Sequence, residues 1–285
     1  MKRKPDEVRS EVAMVYAERV AESAAGGCCA ATRSVDARVR KGAVVGFAGY
    51  SNEELETLPD QAVSNSFGCG NPVALAGLKA GDIVLDLGSG AGIDLFLASK
   101  KVGPAGRVIG VDMTDEMIAR ANQNIRAGGY ENVEVREGII EELPVESASV
   151  DWVISNCVIN LSPEKSRVFA EISRVLKPGG QMLLSDMMAR DLPPELLSLP
   201  AAYASCVGGA ISEEEYLDGL RAAGLEDVEV RDRLIYDAGQ LAGYAASAME
   251  GPCGCGPQLT DRLREYTRGL EGKIWSAKVY ARKPA

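Results

Sequence analysis

The chain contains seven cysteines and no histidine, and this combination restricts the chemistry that its side chains can perform. Without an imidazole, a catalytic triad with a histidine base, a His-ligated zinc hydrolase and a His-ligated haem are all excluded. Thiolate sulfur, in contrast, is both a nucleophile and a ligand for soft ions. The cysteines are Cys28, Cys29, Cys69, Cys157, Cys206, Cys253 and Cys255.

Three of these cysteines lie in segments with the composition of loops. Cys69 stands between two glycines, Cys157 directly follows an apolar run that ends in Ser-Asn, and a glycine pair comes two residues after Cys206. Any single cysteine could be a small buried hydrophobe. Three loop cysteines next to Gly, Asn or Ser are poorly explained in that way, so we predict that they share a site.

A second pattern with chemical meaning is the turn from Asp86 to Gly92, which has the sequence Asp-Leu-Gly-Ser-Gly-Ala-Gly. Glycines allow a sharp turn and let a ligand approach the backbone without a Cβ in the way. Asp112 follows at a distance of roughly twenty residues, where it could accept hydrogen bonds from the hydroxyl pair of a ribose. A nicotinamide-binding domain remains an alternative at this point, although its usual glycine spacing differs.

The elements that must position these residues begin at Gly81, where strands and helices start to alternate. Five continuous apolar runs indicate buried parallel strands, and the segments between them have helical spacing. We therefore predict an α/β protein with a doubly wound parallel sheet and right-handed crossovers. The predicted strands are 83–87, 108–112, 133–135, 152–155 and 182–185, and the predicted helices are 92–101, 114–127 and 163–176, the last stopped by a turn at 177–180.

The flanking segments are less regular. Apolar residues at three-to-four spacing predict an amphipathic helix at 5–22, followed by a loop-rich cap with a short helix near 52–58. After an interruption at 191–209, Ser212 is expected to cap a helix that ends near Gly224, and two last strands are expected at 228–235 and 274–281, with a helix at 240–249 between them. We divide the chain into an N-terminal cap (1–72), a cofactor-binding core (73–190) and a C-terminal part (191–285).

Charge and hydropathy limit the partners. A net charge of −10 argues against a nucleic-acid backbone or an anionic membrane as the main partner, so we expect a small-molecule substrate. The chain has no apolar run long enough to span a membrane, and its basic start runs into Pro5-Asp6-Glu7 rather than an apolar stretch. We therefore expect a cytoplasmic protein with reduced thiols, and we expect a monomer.

The glycine turn, the Asp112-Met113 pair, the 138–144 loop and the Val-Leu-Lys-Pro-Gly-Gly segment at 175–180 together resemble class I S-adenosylmethionine-dependent methyltransferases. The resemblance covers residues 81 to about 234 and implies a seven-stranded Rossmann-like sheet whose last strand is antiparallel and inserted between its neighbours. It also implies S-adenosylmethionine as cofactor. The implied cofactor residues are Asp86, Gly88, Ser89, Gly90 and Gly92 at the methionine end, Asp112 at the ribose, Met113, Ile139, Ile140 and Glu141 around the adenine, and Asn156.

The cysteine segments narrow this resemblance. Gly68-Cys69-Gly70, the run from Asn156 to Leu161 and Cys206-Val207-Gly208-Gly209 are similar, in this order, to arsenite methyltransferases. The resemblance implies that Cys69, Cys157 and Cys206 hold trivalent arsenic and that Cys28 or Cys29 takes part in disulfide cycling. A thiol reductant, glutathione or thioredoxin, would then be a co-substrate.

Residue chemistry agrees with this interpretation, because trivalent arsenic is soft and prefers thiolate sulfur to imidazole or carboxylate. Two other functions remain open: methylation of carbon in a quinone-like small molecule, and metalloid binding without turnover. Cys253 and Cys255 form a C-x-C turn, which we interpret as a tail turn rather than a second site.

Overall fold

The computed structural model describes residues 4–24, 50–56, 58–64, 66, 68, 70–193, 206–237, 239–241, 267 and 269–285. Most of the helix expected at 240–249 lies outside these residues. Of the predicted site cysteines, Cys157 and Cys206 are described, whereas the others lie outside the described residues: Cys28, Cys29 and Cys69, together with Cys253 and Cys255 of the C-x-C turn.

A seven-stranded sheet in the order β3-β2-β1-β4-β5-β7-β6 forms the centre of the fold. The first five strands pair in parallel, and β7 is antiparallel to both β5 and β6. The expected α/β class and the antiparallel last strand between its neighbours are therefore confirmed. The strands are β1 (Ile83–Leu87), β2 (Arg107–Asp112), β3 (Val133–Glu137), β4 (Val150–Asn156), β5 (Leu176–Ala189), β6 (Glu226–Ile235) and β7 (Ile274–Arg282).

Helices cover both faces of the sheet, because the central strands are apolar on both sides. Along β1, Val84 packs on one face with Phe96, while Leu85 packs on the other face with Ile172 and Tyr216. The helices are α1 (Pro5–Ala24), α2 (Asn52–Glu56), α3 (Asp60–Ser64), α4 (Pro72–Leu75), α5 (Ile93–Val102), α6 (Asp115–Gly128), α7 (Lys165–Val175) and α8 (Glu213–Ala222), with a 3-10 turn at Ile159–Leu161.

The capping motif expected before α8 is present. The Ser212 side-chain oxygen accepts a hydrogen bond of 3.1 Å from the backbone N–H of Glu215, which satisfies one of the free donors of the first turn. Gly224, at φ +85, follows the helix and reverses the chain. Both ends of α8 thus lie close to where the residue types predict them.

The structure corrects the turn expected at Lys177–Gly180. The helix before it does end at Val175, but the chain then enters β5 at Leu176 directly. Gly179 donates to the carbonyl of Lys283, and the Lys283 N–H donates to Gly180, at 3.1 and 2.8 Å. Pairing with the chain beyond β7 therefore keeps this segment in the sheet, and the register with β4 shifts at this point.

Helix α1 packs across the carboxyl ends of the central strands rather than on a sheet face. Val8 and Val12 belong to a separate apolar cluster that contains Cys157, Leu161 and Cys206. The helix predicted from apolar spacing therefore covers the edge where ligands of open α/β sheets bind. In the part of the chain that is described, no helix is both long and apolar enough to cross a membrane.

Candidate active site

The glycine-rich turn connects the end of β1 to the start of α5 and lies against β2. Gly88, Gly90 and Gly92 have φ values of +64, +52 and +100, in the left-handed region that favours glycine. The backbone N–H groups of Gly88 and Ser89 donate to the carbonyl of Val111 at 2.8 and 3.1 Å. The turn is thus held in a fixed shape without using its side chains, which leaves its outer surface available to a ligand.

Asp112, at the end of β2, is bound to the same turn. Its two carboxylate oxygens accept backbone hydrogen bonds of 2.9 Å each, one from Gly90 and one from Thr114. Burial raises the pKa of Asp112, and these hydrogen bonds oppose the rise. Asp112 also lines the cleft, where a carboxylate can accept hydrogen bonds from a ligand.

Three buried carboxylates, those of Asp86, Asp94 and Asp112, line the same cleft. Burial and the negative charges of Asp94 and Asp112 raise the pKa of Asp86 well above its usual value. Burial raises the pKa of Asp94 to about 6, against hydrogen bonds from Asn156 and Tyr50. A cluster of this kind favours a positively charged ligand, because a cation would relieve the repulsion among the acids.

The cleft contains about 980 Å³ of empty space, open solvent included. Ten of the eleven expected cofactor residues line it. The exception is Gly92, which instead stands at the N-terminus of α5. The ten are Asp86, Gly88, Ser89, Gly90, Asp112, Met113, Ile139, Ile140, Glu141 and Asn156.

Ser89 of the glycine turn lines the cleft, and its hydroxyl oxygen is buried and makes no hydrogen bond within the described residues. This oxygen lies close to Gly110 of β2, where an added Cβ would be 2.5 Å from it. The glycine turn and the acid cluster are compatible with S-adenosylmethionine, whose methionine end carries positive charge.

Arg9 of α1 also lines the cleft, and sequence reasoning missed it, because one arginine on an amphipathic helix is ordinarily a solvated charge. Its guanidinium donates to Glu141 at 3.3 Å and forms an ion pair with Glu164. The Ser162 hydroxyl donates to the same Glu141 oxygen at 2.6 Å. The Glu141 carboxylate, expected beside the adenine, is therefore also the contact that holds α1 over the cleft.

Cys157 and Cys206 meet at one end of the cleft. Cys157 lines it directly, and the Cys206 Sγ lies 2.8 Å from the carbonyl oxygen of Cys157. Both residues are almost fully buried, and both have left-handed backbones, at φ +60 and +64. Cys157 is disulfide-bonded to a residue other than Cys206. Cysteine is rarely found in this backbone region, and strain of this kind is concentrated at functional sites.

A buried polar network lies behind Cys157, and two of its members were not predicted. The Tyr50 hydroxyl donates to Asp94 at 2.9 Å, and the Asn156 amide nitrogen donates to Tyr50 and Asp94 at 2.8 and 3.1 Å. Burial and the charge of Asp94 raise the pKa of Tyr50 well above its usual value. No local signal distinguishes a tyrosine in a loop or an acid in the first turn of a helix from surface residues.

Comparisons with known proteins agree with this architecture. A family model described as a methyltransferase domain matches residues 78–224. An arsenite methyltransferase of Halobacterium salinarum is 45% identical over 206 residues, which is 72% of this chain and 51% of that protein. An arsenite methyltransferase of Aquipseudomonas alcaligenes is 41% identical over 61% of this chain and 52% of that protein. The chain thus spans about half the length of these curated relatives.

A solved structure extends the similarity. The crystal structure of an arsenic(III) S-adenosylmethionine methyltransferase from Chlamydomonas reinhardtii aligns with a TM-score of 0.58 at 31% identity, covering 85% of this chain and 72% of that one. The sheet order, the glycine turn and the family match define a class I methyltransferase domain, and the chain belongs to that family. Within it, the chain belongs with the arsenite methyltransferases, as its cysteine segments led us to expect.

Proposed function

We propose that this chain transfers a methyl group from S-adenosylmethionine to trivalent arsenic bound by the thiolates of Cys69, Cys157 and Cys206. The observation that carries the proposal is the meeting of two cysteines at the cofactor cleft: Cys157 in its wall, and the Cys206 Sγ 2.8 Å from the Cys157 carbonyl. The similarity to arsenite methyltransferases supports arsenic as the substrate element and S-adenosylmethionine as the methyl donor.

Different residues of the cleft would contact different parts of the cofactor. S-adenosylmethionine supplies an electrophilic methyl group on a positively charged sulfur. Asp86 and Asp94 would stabilise positive charge at the methionine end of the cofactor, close to where β1 leads into the glycine turn. Asp112 would accept from the ribose hydroxyls, and Ile139 and Ile140 would flank the adenine.

Thiolates suit the substrate because trivalent arsenic is a soft ion with three pyramidal positions. Bound to three sulfurs, the arsenic directs its lone pair away from them, toward the methyl group. The nucleophile carries no proton, so no general base is required, and the absence of histidine costs the reaction nothing. Catalysis would consist mainly in holding arsenic and the methyl carbon in line at about 3–3.5 Å.

Transfer of a methyl cation to the lone pair formally oxidises arsenic from the trivalent to the pentavalent state. Two thiolates that join in a disulfide return two electrons to arsenic, and an external thiol then reduces the disulfide. Cys157 is disulfide-bonded in the structure, which agrees with such cycling. We propose glutathione or thioredoxin as the reductant, Cys28 or Cys29 as a further redox partner, detoxification as the role, and the reducing cytoplasm as the location of a monomeric enzyme.

Speciation of the arsenic products tests the proposal. The protein is incubated with arsenite, S-adenosylmethionine and a thiol, and methylated arsenic is separated from arsenite. Cys157→Ser and Cys206→Ser are each expected to abolish methylation of arsenite and of monomethylarsenite, because a hydroxyl does not replace a thiolate for a soft ion. The matched control is Cys253→Ser with Cys255→Ser, which should change at most the dependence on arsenic concentration.

The same assay separates the alternatives. Methylation of a quinone-like carbon acceptor with no methylated arsenic would favour the first alternative, and arsenite binding without consumption of S-adenosylmethionine would favour a binding protein. Full turnover of arsenite by folded Cys206→Ser would remove the thiolate site. The site cysteines argue against the quinone reaction, since methylation of a carbon nucleophile does not require several thiols at the active site.

A further inference from the structure

The side-chain amide of Asn156 holds two cysteine-bearing segments together. Asn156 is the last residue of β4 and precedes Cys157, while Gly70 follows Cys69 in the chain. The Gly70 N–H donates to the Asn156 Oδ1 at 3.1 Å, and the Asn156 Nδ2 donates back to the Gly70 carbonyl. One amide therefore satisfies both backbone groups of the residue next to Cys69, as a neighbouring strand would.

The orientation of this amide is fixed from its other side. Its nitrogen also lies 2.8 Å from the Tyr50 hydroxyl and 3.1 Å from the Asp94 Oδ2. Because Tyr50 uses its proton on Asp94, its oxygen is an acceptor toward Asn156. Reversing the amide would turn its oxygen toward the Gly70 carbonyl, the Tyr50 hydroxyl and the Asp94 carboxylate, which are all acceptors. Nδ2 therefore faces these three groups, which share its two N–H donors, and Oδ1 faces the Gly70 N–H.

The glycines on either side of Cys69 indicate how closely this segment is pressed onto the sheet edge. A Cβ added to Gly68 would lie 2.2 Å from the Asn156 Nδ2, and one added to Gly70 would lie 1.8 Å from the Ser185 hydroxyl of β5. Both distances are far below van der Waals contact. The Gly68 and Gly70 backbones thus lie directly against Asn156 at the end of β4 and Ser185 within β5, and a side chain at either glycine would have to displace these groups.

We propose that Asn156 is a positioning residue for the thiol site: it clamps the segment that carries Cys69 against the segment that carries Cys157. The inference rests on the proposed function for the identity of the thiols. From the sequence, Asn156 was expected to bind the cofactor. The proposal instead gives its amide the task of setting the spacing of the two sulfurs. Tyr50 and Asp94 support the clamp by orienting the amide.

The test measures how strongly the fold brings the two sulfurs together, without arsenic and without turnover. In the full chain with Cys28, Cys29, Cys206, Cys253 and Cys255 replaced by serine, Cys69 and Cys157 are the two cysteines left. Formation of a disulfide between them is equilibrated with reduced and oxidised glutathione. The equilibrium gives the effective concentration of one thiol toward the other. Asn156→Ala, which releases both hydrogen bonds to Gly70, is expected to lower it by about tenfold or more.

The matched control is Asn132→Ala. Asn132 also accepts one hydrogen bond, from the Ser99 hydroxyl at 2.7 Å, and donates one to a backbone carbonyl, that of Gly103 at 2.8 Å, but it does not line the cleft. It should leave the effective concentration within twofold of its starting value. Should Asn156→Ala not fold, Asn156→Asp keeps the volume and turns a carboxylate oxygen toward Asp94, so the same loss is expected.

Cofactor affinity decides between the two roles of Asn156. Calorimetry with S-adenosylhomocysteine should show less than about a threefold change in Asn156→Ala. An unchanged effective concentration in the folded variant would overturn the proposal, and so would a large loss of cofactor affinity as the only effect. If the chain turned out not to methylate arsenic while the effective concentration still fell, the proposed function would fail and the clamp would stand.

Discussion

Replacing Asp112 tests the cofactor assignment most directly. In the structure its two oxygens accept from the backbone of Gly90 and Thr114, and the residue lines the cleft. A hydrogen bond to a charged group contributes about 1.5–3 kcal/mol, which corresponds to about tenfold to 150-fold in affinity. We therefore expect Asp112→Ala to weaken S-adenosylmethionine binding within that range.

The same substitution also removes two backbone hydrogen bonds, one from Gly90 of the glycine turn and one from Thr114 before α6, so ligand affinity and fold stability must be measured separately. Calorimetry with S-adenosylhomocysteine gives the affinity, and denaturant unfolding gives the stability. Asp112→Asn is a useful partner variant, since it keeps the volume and one acceptor for the backbone but loses the charge. Its affinity should fall with less loss of stability than in the alanine variant.

Asp151→Ala is the matched control for this pair. Asp151 also accepts a backbone hydrogen bond, from Ile83 at 2.9 Å, and binds Lys177, but it lies at the opposite end of the sheet. Its loss is expected to change stability and to leave cofactor affinity unaltered. Unchanged affinity in folded Asp112→Ala would refute the ribose role and weaken the assignment of the whole cleft.

Three further outcomes are expected. Monomethylated arsenic has one position occupied by carbon and takes only two thiolates. Cys69→Ser should therefore lose or greatly slow arsenite methylation yet retain methylation of monomethylarsenite, whereas Cys206→Ser should lose both activities. In a paired assay with excess thiol, loss of both activities in Cys69→Ser as well would contradict this division. Arg9→Ala should speed cofactor release by about tenfold in stopped-flow experiments, because a charged contact that holds α1 over the cleft is lost, while Arg221→Ala, which breaks a pair between exposed side chains on α8, should not. Burial raises the pKa of Asp94 to about 6, so the folded state binds this proton more tightly than the unfolded chain, and the stability it contributes is present below about pH 4 and lost as pH rises through about 6. Denaturant unfolding between these pH values should therefore show a flatter pH dependence for Asp94→Asn, and an unchanged slope would assign the effect to other acids.

The parts of the fold that follow from local patterns were predictable. The apolar run of β1 leads into a glycine turn, and both are determined by residues adjacent in the chain. The same holds for Ser212, whose cap depends on an N–H three residues away. The segment at Lys177–Gly180 was mispredicted because its partner, Lys283, is about a hundred residues distant and belongs to a strand pairing that no local signal reveals.

Residues of the site were likewise predictable only where the signal lies in adjacent residues. Asp86 and Asp112 could be assigned because a strand end followed by glycines is a local motif with a known use. Arg9 and Tyr50 could not, since each acts only through contacts with residues far along the chain, Glu141 and Asp94. For Asn156, the prediction of its place at the sheet edge was sound, whereas its hydrogen-bond partners depend on how the N-terminal segment folds over that edge.

The order of the strands explains why one edge can serve both a cofactor and a set of thiols. β1 lies between β2 and β4, so the chain crosses in opposite directions from it and leaves a crevice at the carboxyl ends. Neighbouring strands are about 4.8 Å apart, so the end of β2 with Asp112, the end of β1 with Asp86 and the end of β4 with Asn156 follow one another in short steps. A ligand that runs from the ribose site at β2 toward β1 therefore presents its far end to Cys157. Cys206 comes from the chain after β5, the next strand in the order, and so reaches the same end from the other side.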